Sequence, residues 1–235
     1  MRKQTEPFIS HNNRSYNWLI HRIHDDKLQQ ALSQYATGVL VDIGCGEKPY
    51  AELVKGLTVR HIGVDHPGTI HDKSKIDVLA TAYETTLPDA TADTVLCTSV
   101  LEHLERPDQA LREMYRILKP GGHLILSVPF LWHLHEAPRD FYRFTTFGLS
   151  FLLQDSGFQV VEIQPLAGFI VTFAQELSYF LKNRGRPILR YPIHITQQFI
   201  QNVAYQLYLR GKDGPHEFTW AYLAVGRKPL PAPTI

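Results

Sequence analysis

The sequence predicts an α/β fold built on a doubly wound, mostly parallel sheet. Four apolar segments have the length of strands, and they occupy residues 38–44, 60–66, 91–100 and 121–130. Between the last two, a helical pattern begins at Pro107 and is stopped by Lys119, Pro120 and Gly121. Short apolar strands separated by amphipathic helices are typical of a sheet that is covered on both faces.

The other predicted elements extend this sheet. In chain order they are a leading helix at 16–36, a helix at 145–157, a strand at 158–166, helices at 168–182 and 194–210, and a final strand at 217–229. In the helix at 145–157, a Thr can cap the first turn, and Phe147, Phe151 and Leu152 repeat on one face. We expect one domain, with a leading segment (1–37), a cofactor-binding core (38–166), a helical cap (167–216) and the final strand (217–229).

Composition excludes several classes of protein. The chain has 235 residues, 44% of them hydrophobic and 20% charged, which is ordinary for a globular enzyme. A net charge of +1 gives no reason to expect nucleic acid as a partner. The two cysteines, Cys45 and Cys97, lie in apolar stretches and are predicted to be buried thiols. We find neither a signal-peptide core nor a transmembrane run of about 18 apolar residues, so we expect a cytoplasmic protein.

A glycine-rich turn follows the first predicted strand, in the sequence Asp42-Ile-Gly44-Cys-Gly46. Ligands of doubly wound sheets bind at the carboxyl ends of the strands, although a turn can also need glycine for geometry alone. Asp65 ends the next strand, where an acid can accept both hydroxyls of a ribose. A carboxylate at Asp42 and a proline at Pro49 suit a cationic ligand better than the pyrophosphate of a dinucleotide. A nicotinamide-dependent oxidoreductase remains the alternative.

Four segments together resemble the successive motifs of the class I S-adenosylmethionine-dependent methyltransferases, particularly the group that acts on small molecules. These are VDIGCGEKPY, GVDH, DTVLCTSVLEHL and ILKPGGHLILSVP, which fall in the family's order across residues 38–165. The resemblance implies a Rossmann-like, seven-stranded sheet with an antiparallel last strand, and S-adenosyl-L-methionine as the cofactor. Lys48 stands where the fuller family pattern has a third glycine.

The resemblance also implies roles for individual residues. Asp42, Gly44 and Gly46 would line the methionyl part of the cofactor, and Asp65 would hold the ribose. The adenine would be flanked by His66 and would meet the backbone near Thr81 and Ala82. The residues expected beneath the sulfonium are Thr98, Ser99 and Val100.

The stretch HLHEAPRDFYRF, residues 133–144, follows the fourth strand and is predicted to face the acceptor. An oxygen acceptor must lose a proton, and His135 or His133 is the predicted base. Glu136 or Asp140 would orient the imidazole, while Arg139 or Arg143 would bind an anionic or hydroxyl group of the acceptor.

Alternatives for this stretch stay open. Arg143 can pair with Asp140 in a purely structural corner, with Tyr142 and Phe144 in the core. The closely spaced histidines, with Glu136 and Asp140, can also be read as metal ligands, but without a matching cluster elsewhere we expect no metal. Glu102 and His103, just past the third strand, suit a ligand contact and a hydrogen-bonded turn equally well.

The sequence therefore predicts a methyltransferase that modifies oxygen of a small-molecule or glycan-like acceptor, including lipid-linked ones. Segments resembling residues 135–149 occur in bacterial methyltransferases associated with surface-polymer assembly. A protein that binds S-adenosylmethionine without catalysis is a further alternative. The apolar helices at 168–182 and 194–210 suit a cap, a homodimer face, an acceptor lid or a weak membrane-surface contact. The basic residues for that contact would be Lys182, Arg184, Arg186 and Arg190.

Overall fold

The computed structural model describes residues 16–184 and 190–231. Its sheet has seven strands in the order β3-β2-β1-β4-β5-β7-β6. The strands are β1 (Val39–Ile43), β2 (Arg60–Asp65), β3 (Val78–Leu79), β4 (Ala92–Thr98), β5 (Leu118–Pro129), β6 (Gln159–Pro165) and β7 (Ala221–Arg227). Strands β1 to β5 pair in parallel, and β7 runs antiparallel between β5 and β6. The predicted sheet, with its antiparallel last strand, is confirmed.

Six helices accompany these strands in the described residues. They are α1 (Trp18–Tyr35), α2 (Ala51–Val54), α3 (Pro107–Ile117), α4 (Thr146–Asp155), α5 (Phe169–Arg184) and α6 (Arg190–Leu209). Each predicted helix is present, with its ends moved by a few residues at most. The two short elements α2 and β3 were missed, because four and two residues are too few to show a period.

The described residues fall into two compact units. The first unit contains residues 16–28, Phe130–His133 and Pro165–Ala221, and therefore includes α5 and α6. The second unit contains Gln29–Pro129, Leu134–Gln164 and residues 222–231, and therefore includes β1 to β5. The expectation of a single domain stays a prediction.

The register of β1 with its neighbours determines where a ligand can bind. Ile43, the last residue of β1, lies beside Val64 of β2 and Cys97 of β4. The carboxyl ends of three parallel strands therefore meet at one edge of the sheet, and the glycine-rich turn begins there. The middle of β1 is fully buried at Leu40 and Val41, so hydrophobic burial fixes this register.

Helix α4 corrects one expectation. Thr145 caps it as predicted, since its hydroxyl oxygen accepts a hydrogen bond from the Gly148 N–H. However, Phe147 and Phe151, expected to share an apolar face, are 87% and 65% exposed, and Leu149 and Leu153 face the core instead. A helix rich in apolar residues has no single apolar stripe, so its sequence alone leaves the buried face undetermined.

Three further predictions can be compared with the structure. Cys45 and Cys97 are free and buried, as expected. None of the described helices is long and apolar enough to cross a membrane. Lys182 is exposed, whereas the side chains of the other basic residues near the α5–α6 connection lie outside the described residues.

Glu113 of α3 anchors the segment that follows β3 through hydrogen bonds to Thr85. This segment also contains Thr81 and Ala82. Its carboxylate accepts hydrogen bonds from the N–H and the hydroxyl of buried Thr85, at 2.7 and 2.6 Å, and from Arg116 at 2.8 Å. Burial acts to raise the pKa of Glu113, but the bonds from Arg116 and Thr85 outweigh it and hold the pKa below 4.5.

We therefore expect Glu113→Ala to lower the free energy of unfolding by about 1–3 kcal/mol, because two buried donors of Thr85 lose their acceptor. Glu52→Ala, which removes only an exposed pair with Lys55, should change it by less than about 0.5 kcal/mol. Urea unfolding at pH 7 measures both.

Because the pKa of Glu113 is lowered in the folded state, its contribution to the free energy of unfolding is present above its unfolded pKa. This contribution is lost as the pH falls through the folded value. Equal stability of Glu113→Ala and the wild type at pH 7 would contradict this account.

Candidate active site

The glycine-rich turn after β1 is attached to β2 by backbone hydrogen bonds. The N–H groups of Gly44 and Cys45 both donate to the carbonyl of Val64, at 2.9 and 3.1 Å. The N–H of Gly46 donates to Oδ2 of Asp65 at 2.9 Å. The turn is therefore held at the sheet edge by the strand that carries the predicted ribose-binding acid.

Gly44 is required by both conformation and space. Its φ angle is +69°, and a Cβ at this position would lie 2.3 Å from Cγ2 of Val100. A φ in this range favours glycine, and 2.3 Å is well inside van der Waals contact. Val100, predicted beneath the sulfonium, therefore packs against the glycine turn.

Asp42 places a carboxylate at the carboxyl end of β1. It is only 2% exposed, and its Oδ2 lies 3.1 Å from Nε2 of His61 on the adjacent strand. Burial raises the pKa of Asp42, and the contact with His61 opposes that rise. The carboxyl end of β1 thus carries a buried acid whose side-chain partner among the described residues is His61.

A cavity of about 450 Å³ opens at this turn. Of the predicted cofactor residues, it is lined by Asp42, Gly44, Gly46 and Thr98. The other lining residues were not predicted as individual cofactor contacts, although Cys45, Glu47 and Pro49 belong to the predicted turn; they are Cys45, Glu47, Pro49, Tyr50 and His71. His71 carried no signal in the sequence: it lies in an irregular loop, and only folding brings its ring to within 3.4 Å of a Cβ built on Gly46.

The remaining predicted cofactor residues lie outside the lining of this cavity. Asp65 is engaged with the N–H groups of Gly46 and His66, and exposed His66 accepts a hydrogen bond from Gly68. Thr81 and Ala82 are half-buried beyond β3. Ser99, with φ +51°, donates its N–H to the carbonyl of Ser127.

Lys48, which replaces the family's third glycine, has a structural role. Its φ angle is +54°, and its ammonium pairs with Asp77, which also accepts the Gly63 N–H at 2.6 Å. The side chain passes over Gly63, where a Cβ would lie 2.4 Å from the Lys48 Cε. The lysine therefore fastens the turn to the region beyond β2.

These features fit S-adenosylmethionine. A cavity with a buried carboxylate suits the ligand's ammonium and sulfonium, and a turn without Cβ atoms lets the backbone approach it closely. Burial raises the pKa of the Cys45 thiol to about 12, so this cavity residue is no nucleophile at neutral pH.

A second group of polar residues lies in the loop after β5. Asp140 receives both terminal nitrogens of Arg143, at 2.6 and 2.8 Å, and the backbone N–H of His135 at 2.8 Å. Hydrogen bonds from Arg143 hold the pKa of Asp140 well below its usual range despite burial. The structural pair of Arg143 and Asp140 is therefore present, Phe144 is buried, and Tyr142 is 39% exposed.

His135 stands beside this ion pair. Its Nδ1 lies 3.3 Å from Oδ2 of Asp140 and 3.4 Å from Nη2 of Arg143. These contacts imply opposite tautomers. Nη2 of Arg143 has a second N–H besides the one it gives to Asp140, so it can donate to Nδ1 in one tautomer, while Nδ1 can donate to Asp140 in the other. Burial lowers the pKa of His135.

Glu102 and His103 join the same group. The Glu102 carbonyl accepts the N–H groups of Phe141 and Tyr142, at 2.9 and 3.3 Å, so the loop after β5 is fastened to the turn after β4. The imidazole ring centroids of His103 and His135 are 4.8 Å apart. Burial raises the pKa of Glu102 to about 8. This convergence was missed, since sequence spacing does not reveal which loops meet.

The other predicted acceptor residues differ in position. Glu136 and Arg139 contact His103, since Oε2 of Glu136 lies 3.7 Å from its Nε2 and the carbonyl of Arg139 lies 2.5 Å from its Nδ1. His133 belongs to the first unit, where its Nδ1 lies 3.2 Å from Glu176 and its ring packs on Tyr179. Glu136 is exposed, with φ +51°. Arg139 is exposed and lies 3.8 Å from Glu105. The structure therefore groups His135, Asp140 and Arg143 but does not place His133 with them.

Comparisons with known proteins agree with this geometry. Residues 41–126 match the model of a family described as a methyltransferase domain. A probable S-adenosylmethionine-dependent methyltransferase of Mycolicibacterium smegmatis is 32% identical over 46% of this chain and 44% of its own length. Residues 41–126 are thus similar to methyltransferase domains, and the relatives that this chain matches include a probable S-adenosylmethionine-dependent methyltransferase.

A further relative is less similar in sequence. A ubiquinone biosynthesis O-methyltransferase of Alkalilimnicola ehrlichii is 27% identical over 55% of this chain and 54% of its own length. The chain spans about half the length of the curated relatives it matches.

Solved structures show the same fold. A methyltransferase from Archaeoglobus fulgidus superposes with a TM-score of 0.56 at 22% identity, over 91% of this chain and 95% of its own. The cyclase SpnF gives 0.58 at 18% identity, over 97% and 88%. A [4+2]-cyclase among these neighbours means that the fold alone does not identify the reaction.

Gly44→Ala should weaken binding of S-adenosylhomocysteine by at least about tenfold, because the added methyl collides with Val100 and distorts the turn. Gly56→Ala is the matched control: its φ is +81°, so the backbone strain is similar, but no atom lies within 4 Å of the new Cβ. Titration calorimetry measures both. Unchanged affinity in Gly44→Ala would show that the turn does not form the binding site.

Proposed function

We propose that this protein transfers a methyl group from S-adenosylmethionine to an oxygen of a small-molecule or glycan-like acceptor, with histidine-assisted deprotonation. The observation that carries the proposal is the cavity at the carboxyl end of β1, where a buried carboxylate, Asp42, lies beside Gly44 and Gly46. A buried anion is unfavourable next to a pyrophosphate and favourable next to a cationic donor. The cavity therefore favours the methyl donor over a nicotinamide dinucleotide.

When bound, S-adenosylmethionine supplies an electrophilic methyl on a sulfonium. The protein must hold the acceptor in line with that methyl and exclude water. Asp42 and the glycine turn would bind the methionyl part, and Asp65 would bind the ribose. Thr98 would lie beneath the sulfonium. Asp65 is preorganised for this role, because two backbone N–H groups already orient its carboxylate.

Three features support oxygen as the methylated atom. An acceptor hydroxyl has to lose its proton, and the imidazole of His135, whose pKa is lowered by burial, would offer a lone pair at Nε2 when its proton is on Nδ1. Asp140 contacts the other ring nitrogen and would fix the tautomer, as in other acid–base sites. One of the relatives is an O-methyltransferase.

Arg143 would position His135 more than bind the acceptor, since its terminal nitrogens already contact Asp140, the carbonyl of Tyr142 and Nδ1 of His135. Arg139 is the arginine better placed for an anionic acceptor group, because it is exposed and its carboxylate neighbour, Glu105, is 3.8 Å away.

Binding calorimetry with S-adenosylmethionine, S-adenosylhomocysteine and NAD tests the donor. We expect micromolar or tighter affinity, about −8 kcal/mol, for the first two, and no heat with NAD. Tight NAD binding without an S-adenosylmethionine signal would overturn the proposal.

Transfer of isotope-labelled methyl to a panel of phenols, sugars, carboxylic acids and amines then identifies which atom of the acceptor is methylated. Label found only on nitrogen or carbon would refute the oxygen assignment and leave the methyltransferase intact.

His135→Gln should reduce kcat for the acceptor found in this way by about 10²–10⁴, because the group that assists deprotonation is lost. The dissociation constant for S-adenosylhomocysteine should stay within about twofold, since His135 is not among the residues that line the donor cavity. His216→Gln, which changes a histidine that is 62% exposed, is the control and should retain full rate. Unreduced kcat in His135→Gln would remove this residue from the mechanism.

A further inference from the structure

Three potential ligand side chains converge between the turn after β4 and the loop after β5. They are Glu102, His103 and His135, each of which can offer one ligand atom within 4.8 Å of the others. Nε2 of His103 lies 3.8 Å from Oε1 of Glu102. All three belong to the second compact unit, so their arrangement depends on that unit alone.

The carboxyl group of Glu102 is buried, but one of its oxygens lacks a hydrogen-bond partner among the described residues. The residue is 1% exposed, and its Oε2 has no hydrogen-bond partner among the described residues. Buried polar atoms are nearly always paired, and an unpaired carboxyl oxygen costs free energy. A cation bound beside Oε2 would supply the missing partner.

The Nδ1 atoms of both imidazoles already have polar partners. Nδ1 of His103 lies 2.5 Å from the carbonyl of Arg139, and a carbonyl only accepts, so this nitrogen carries the proton. Nδ1 of His135 lies 3.3 Å from the carboxylate of Asp140 and 3.4 Å from Nη2 of Arg143. The Nε2 lone pair of His103 is thereby available, and that of His135 is available in the tautomer that donates its Nδ1–H to Asp140. Histidines that bind metals almost always donate their other N–H to a carbonyl or carboxylate in this way.

We infer that Glu102, His103 and His135 form a binding site for one divalent transition-metal ion of the Zn²⁺ type. Two imidazoles and one carboxylate are the ligand set of such ions, whereas Mg²⁺ prefers oxygen ligands. Tetrahedral bonds of about 2.1 Å would bring the ligand atoms to about 3.4 Å apart, so the site has to contract slightly around the ion.

Three protein ligands leave a fourth position open. This is typical of catalytic zinc sites, whereas structural zinc sites have four protein ligands. This use of the site rests on the methyl transfer of the proposed function and gives His135 the role of a metal ligand in place of that of a base. An acceptor hydroxyl at the open position would have its pKa lowered and release its proton to solvent. Its oxygen would then form the new bond to the methyl carbon as the sulfonium–methyl bond breaks, giving S-adenosylhomocysteine. With the ion bound, His135 assists as a ligand and does not itself take up the proton.

Metal binding is tested on the full chain, stripped with a chelator and titrated with Zn²⁺ alone. We expect one ion per chain by mass spectrometry of the eluted metal, with submicromolar affinity by calorimetry. Glu102→Gln and His135→Gln should each weaken binding by about 10- to 100-fold. His216→Gln is the control, because it also changes a histidine near a carboxylate, Asp213 at 3.6 Å, and it should bind Zn²⁺ like the wild type.

Co²⁺ added to the wild type gives an answer that is independent of how the variants fold. We expect the intense visible absorption of a four-coordinate ion with nitrogen ligands. The inference is overturned if the spectrum is that of aqueous Co²⁺, or if folded Glu102→Gln and His135→Gln bind Zn²⁺ as tightly as the wild type. Binding of S-adenosylhomocysteine is measured on the same samples. Its persistence without metal binding would reject the metal site alone, and its absence would reject the proposed donor.

Discussion

The parallel pairing of β1 with β2 is the constraint on which the site depends. It brings the carbonyl of Val64 and the carboxylate of Asp65 to the positions where they accept the N–H groups of the glycine turn. The turn can follow this path only because Gly44 tolerates a positive φ and lacks a Cβ. Loss of this register would therefore displace the cavity and the predicted ribose-binding acid together.

The turn after β4 connects the donor region with the candidate acceptor region. Val100 packs against Gly44, while Glu102, two residues later, holds the loop after β5 through its carbonyl. The backbone of this turn is thus fixed at both ends by short contacts. The same few residues place a buried carboxyl, two imidazoles and the pair of Asp140 and Arg143 in one unit of the protein.

Periodicity and burial explain why the fold could be predicted. Apolar runs such as 38–44 mark buried strands, and Pro107 marks the start of α3. The pair of Asp140 and Arg143 could also be proposed, because its members are three residues apart. In contrast, the meeting of Glu102 and His103 with His135 joins two separate loops, and local sequence contains no information on that distance. The exposed face of α4 was mispredicted because Phe147 and Phe151 are apolar like the buried leucines beside them.

Amide hydrogen exchange with and without S-adenosylhomocysteine is the most direct test of the donor site. The account predicts slower exchange at the glycine turn, residues 42–50, and at the turn after β4, because a ligand in this cavity would stabilise both. The amides of α5 and α6 should serve as an internal reference with a smaller change. Protection that is absent from residues 42–50, or confined to α5 and α6, would contradict the assignment of the cavity to the methyl donor.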